Sequence, residues 1–215
     1  METPEQSQHP TRRDLSLLWL LITIAAIVAL TALGPTERTL GENLRLVVLH
    51  GAWVWTGKIL FAAAALAGLA GLLLPRSFWS TLSLALGCAG LLFWLTYLPM
   101  SLIVQLQNWG GIFWDEPRWR VPFTFGVVGL LLQLGLGVIN QSRVTNLANL
   151  VYGIVLWWQL GAITNILHPD SPIFGSDSTG IQFFFLVLLA LTLFAAAQIT
   201  RLLYRSLSRS RMTTG

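Results

Sequence analysis

Two histidines and one loop carry the side chains with the most chemistry to offer. His50 and His168 can each present a neutral imidazole nitrogen to a metal. Between Asn108 and Arg120 the chain reads N-W-G-G-I-F-W-D-E-P-R-W-R, with Trp109, Trp114, Trp119, Asp115, Glu116, Arg118 and Arg120 in thirteen positions. Indole rings cover flat apolar faces, and guanidinium forks take carboxylates by charge-assisted, often bidentate bonds. Such a set suits a planar apolar group with anionic edges and a coordinating centre. The loop's composition also suits an interfacial aromatic belt with charged neighbours. The surrounding elements decide whether these residues meet.

The 215 residues are 54% hydrophobic and only 10% charged, with mean hydropathy +0.67. Soluble domains carry about 25% charged residues, so the composition is that of a membrane protein. The net charge is +4, but the positive residues sit in short connections and near the C-terminus, not on one basic face. That pattern orients a membrane protein and excludes nucleic acid as a partner. Cys88 is the single cysteine. It leaves no thiol pair and no covalent haem attachment motif, and is read as a small packing residue.

Six apolar runs follow, each long enough to cross a hydrocarbon core of about 30 Å. The sequence therefore predicts an all-α membrane bundle of six transmembrane helices. Residues 1–14 are expected as a disordered cytoplasmic tail, 15–203 as the transmembrane domain with the loop 108–120, and 204–215 as a basic cytoplasmic tail. The spans are read as Leu15–Leu33, Leu46–Leu74, Phe78–Leu106, Val121–Ile139, Val144–Leu167 and Ile181–Leu203. The first run exceeds a signal-peptide core and is read as an uncleaved span. In the second, Ala64/Gly68 and Ala67/Gly71 have the small-xxx-small spacing of closely packed helices. In the third, Tyr97, Ser101, Gln105 and Asn108 recur on one helical face and must avoid lipid. They form either a ligand-facing wall or an interhelical hydrogen-bond seam. In the fifth, Trp157, Gly161, Asn165 (or Thr164) and His168 share a face.

Charge counts give the expected orientation. Arg12, Arg13, Arg76, Arg143, Arg201, Arg205, Arg209 and Arg211 fall on one side, and Arg38, Arg45, Arg118 and Arg120 on the other. Eight against four places both termini in the cytoplasm. His50, His168 and the tryptophan loop then share the outer face. Haem fits that set. Its iron takes axial imidazoles, its faces take indoles, and its propionates take Arg118, Arg120 or Arg45. Lys58, two turns along from His50 on nearly the same face, is a further candidate for a propionate, or for a transport role.

These residues resemble the six-helix haem-handling membrane proteins of cytochrome c maturation, the C subunit of the bacterial system in particular. Trp109-Gly110-Gly111-Ile112-Phe113-Trp114-Asp115 resembles that family's tryptophan-rich outer loop. It is one residue shorter between Trp109 and Trp114, with Phe113 where the family has tryptophan. His50, in L-H-G-A-W-V-W, and His168 match the family's two outer histidines. The resemblance implies non-covalent haem b with His50 and His168 as axial ligands to its iron. It implies a haem platform and docking surface that includes Trp109, Trp114 and Asp115, and partners such as a haem chaperone, apocytochrome c or other maturation subunits. Trp119, Arg118 and Arg120 complete the expected site. No nucleophile–base pair is present, so binding and transfer are expected in place of bond-making catalysis. Two other expectations stand beside this one: a ligand-free structural or assembly subunit of a respiratory or photosynthetic complex, and a transporter.

Overall fold

The computed structural model describes residues 12–74, 76–164, 173–175 and 177–213. Among the described residues, six helices make up the bundle: α1 (Arg12–Ala32), α2 (Asn43–Leu73), α3 (Ser77–Trp109), α4 (Pro117–Ile139), α5 (Ser142–Gly161) and α6 (Thr179–Thr213). There is no strand among the described residues, only an isolated bridge between Glu37 and Gly41. Five helices, α1 to α4 and α6, are long and apolar enough to cross a membrane. Large apolar side chains such as Leu21, Val28, Leu131 and Phe183 face outward from them. The all-helical architecture expected from composition is therefore present, with helices that suit a membrane.

Several boundaries differ, and the loop expected over 108–120 shortens because α3 runs to Trp109 and α4 begins at Pro117. The tail expected over residues 1–14 gives way to helix at Arg12, and residues 1–11 lie outside the described residues. Helix α6 continues to Thr213, past the expected end of the last span. Helix α5 stops at Gly161, six residues before its expected end, with the Ala162 N–H closing back on Trp158 and Gln159. The helical face drawn from Trp157 to His168 therefore ends at its second member. Asn165 and His168 lie outside the described residues.

Helices α2 and α3 form the central pair, with α1 and α6 on one flank and α4 and α5 on the other. Small residues let α2 approach α5 closely. A Cβ on Gly68 would stand 2.5 Å from the Asn146 carbonyl oxygen, and one on Gly71 would strike the Asn146 side chain. The small-residue spacing in α2 thus serves the packing anticipated for it. Polar side chains then tie the helices internally, as they must where water is absent. Ser83 Oγ donates to the Ala64 carbonyl at 2.9 Å. Asn149 Nδ2 donates to the Ser83 carbonyl at 3.1 Å and to Ser83 Oγ at 3.0 Å. Gln133 Nε2 donates to Asn149 Oδ1 at 2.8 Å. One buried network so joins α2, α3, α4 and α5. Thr56 and Thr192 hydroxyls meet at 2.7 Å between α2 and α6.

Helix α5 owes its lower hydropathy to this network. Thr145, Asn146, Asn149, Tyr152, Gly153 and Leu156 recur at helical spacing on its buried face. Leu147, Val151, Ile154 and Trp158 point outward. The helix is amphipathic with its polar face inward.

Candidate functional site

At the end of the bundle where α2 begins and α3 ends, the chain encloses a cavity of about 460 Å³. Ligand pockets occupy roughly 300–1,000 Å³. The Asn43 amide reaches the Gln107 carbonyl at 3.4 Å and closes these two helix ends together. The polar stripe of α3 lines the cavity: Tyr97, Ser101, Gln105 and Asn108 all border it. The stripe has features of both readings: it borders the cavity, and Tyr97 also hydrogen-bonds across to α4. His50 and Lys58 enter from α2, Trp109 from the end of α3, and Arg118 from the first turn of α4.

Local chemistry sets each position. Gly110 caps α3 in the left-handed region (φ 70°), with its N–H bonded to the Leu106 carbonyl. Trp109 is thereby held as the last helical residue. Gln105 Oε1 accepts the Phe113 N–H at 2.9 Å and folds the loop back over the helix end. Pro117 starts α4 at its first position, where a missing N–H costs nothing. The His50 ring stacks on Tyr97 with centroids 5.0 Å apart. The Tyr97 hydroxyl donates to the Arg118 carbonyl at 3.2 Å. Trp94 Nε1 donates to the Pro122 carbonyl at 2.8 Å, fixing α4 against α3.

The expected site residues divide into two groups. His50, Trp109 and Arg118 border one cavity. Trp114, Asp115, Trp119 and Arg120 do not line it. Trp119 is buried, stacked on Phe123 at 5.0 Å and edge-on to Trp114 at 5.0 Å, so it packs the loop onto α4. Asp115 is 99% exposed and pairs with Arg120 at 3.6 Å, a surface contact of little energetic weight. Arg45 gives its Nε to the Gly34 carbonyl at 2.9 Å and is absent from the cavity wall.

Glu116 and Lys58 also border the cavity. Glu116, neighbour of the exposed Asp115, is only 5% exposed, and its Oε1 has no hydrogen-bond partner among the described residues. It sits at the N-terminus of α4, where the helix dipole favours a carboxylate. Lys58 Nζ lies 4.0 Å from the Trp55 ring centre and 4.5 Å from that of Trp157. The Trp55–Lys58 spacing was readable in the sequence; the partner from α5 was not.

The loop before α2 supplies another wall through Leu40. Glu37 accepts the N–H groups of Thr39 at 3.0 Å and Leu40 at 3.1 Å. The Leu40 and Thr39 backbone bonds hold the Glu37 carboxyl below its ordinary range. Chemically, the cavity offers an imidazole nitrogen, indole faces, a guanidinium, an ammonium and a carboxylate, and no group of three or more metal-binding side chains exists among the described residues. The sequence matches no protein-family model, and no curated protein matches it significantly.

Proposed function

We propose that this chain is a haem-binding membrane protein that presents haem at the outer membrane face for the maturation of c-type cytochromes. One observation carries the reading: His50, Trp109 and Arg118, from three different helices, border a single cavity of ligand size. The donor set fits the group. His50 supplies an axial nitrogen, Trp109 and Trp55 supply apolar cover, and Arg118 supplies a partner for a propionate. Haem would bring an iron centre with two axial positions. His168 is the candidate for the second, and it stands five positions after Ile163 and five before Ile173. Both of those residues line the cavity.

On this reading the bundle crosses the bacterial plasma membrane six times, with both termini in the cytoplasm. The arginine distribution supports that orientation. The inward polar face and outward apolar face of α5 support counting it as a span. Trp114, Asp115 and Arg120 then stand on the outer rim, available to a haem chaperone or an apocytochrome rather than to the haem itself, with the buried Trp119 packed behind them.

The test is spectroscopic. Purified protein given haem is expected to show a Soret band that His50→Ala and His168→Ala each weaken. Unchanged spectra in both variants would remove the ligand assignment. No haem absorbance at all would favour a ligand-free structural or assembly subunit.

A further inference from the structure

Lys58 lies near the middle of α2, eight residues beyond His50, and both border the same cavity. Eight residues of helix advance about 12 Å, a length that an imidazole, a coordinated macrocycle and a lysine stem together cover. The ammonium meets aromatic faces. It is clamped between Trp55 and Trp157, at 4.0 and 4.5 Å from their ring centres, and Trp157 Nε1 also donates to the Lys58 carbonyl at 3.2 Å. Aromatic faces return only part of the hydration an ammonium loses in such a place. No ion pair to Lys58 exists among the described residues.

We infer that Lys58 receives the carboxylate end of the cavity's ligand and so sets its depth and orientation. An amphipathic carboxylic acid enters with its apolar body against the indoles and its acid group at the Trp55–Lys58–Trp157 clamp. For haem, whose presence rests on the proposal above, the acid groups are the propionates. The Lys58 ammonium donates charge-assisted hydrogen bonds that the ring faces cannot replace.

Haem and its dimethyl ester separate the two claims, because the ester keeps the iron and macrocycle and loses the anionic charge. The full chain, purified in detergent, is titrated with each porphyrin while the Soret band and tryptophan quenching are followed. Lys58→Met is expected to weaken haem binding about tenfold or more and to leave the ester unaffected. Lys58→Arg is expected to retain haem. If Lys58→Met changes both ligands alike, or neither, Lys58 is not the acid-recognising group, and the haem reading survives. Binding of neither porphyrin by the unaltered protein overturns both. Monodisperse elution of Lys58→Met, with a Soret band from the ester, confirms that the variant folds.

Discussion

The Tyr97 hydroxyl occupies the place of a backbone N–H that α4 does not have. Pro122 stands four residues after Arg118 inside α4 and carries no N–H for the Arg118 carbonyl. Tyr97 donates to that carbonyl from α3 at 3.2 Å. The same ring stacks on His50, so a helix defect in α4 is repaired by a residue that also orients the candidate ligand histidine.

Tyr97→Phe should therefore cost about 1–2 kcal/mol, the penalty for orphaning a part-buried carbonyl. In a Pro122→Ala background the helix regains its own donor, and the cost of Tyr97→Phe should shrink. Unfolding equilibria in mixed detergent measure the cycle. Equal costs in both backgrounds would refute the repair.

Asn149 is the hub of the buried network, with donors to Ser83 and an acceptor for Gln133. Asn149→Leu strands the Gln133 amide and is expected to destabilise by about 1–3 kcal/mol. The same unfolding assay reads it, and an unchanged midpoint would show that the network adds nothing to stability.

Glycines in different surroundings should respond with opposite signs. Gly68→Ala places a methyl 2.5 Å from the Asn146 backbone oxygen and should cost about 1–3 kcal/mol by forcing α2 from α5. Gly135→Ala in α4 meets nothing within 4 Å and should gain up to about 1 kcal/mol from helix propensity. Loss at Gly135 or gain at Gly68 would contradict the packing.

The Glu37 loop should respond to acid. Because its carboxyl is held below the ordinary value by the Leu40 and Thr39 N–H groups, the loop's bonds are fully present above the ordinary carboxylate range. They are lost as pH falls through the lowered value. Hydrogen exchange at Thr39 and Leu40 should accelerate in that acidic window, and Glu37→Gln should abolish the dependence. Exchange rates that follow only the intrinsic pH profile would exclude the linkage.

What was legible in the sequence followed from periodicity. Apolar runs of sufficient length announce helices through hydrophobic demand alone, and the Tyr97–Asn108 stripe was visible because α3 continues without a break through Pro99. The loop had no such ruler. Asp115 and Glu116 are adjacent and chemically alike, yet one faces solvent and the other borders the cavity, a division made by the turn into Pro117. The Lys58 clamp needed Trp157 from a helix 99 residues away in sequence. The end of α5 was overrun because apolar Ile163 and Ile166 prolong its hydrophobic pattern beyond Gly161.

The inward polarity of α5 bears on the order of assembly. Asn149 and Thr145 make this helix a poor entrant into lipid alone, whereas Ser83 and Gln133 belong to segments synthesised before it. On the six-span reading proposed above, α2, α3 and α4 would already be in the bilayer when α5 emerges and would offer the hydrogen-bonding surface that a lone helix lacks. The fifth helix would then enter as the passenger of its predecessors.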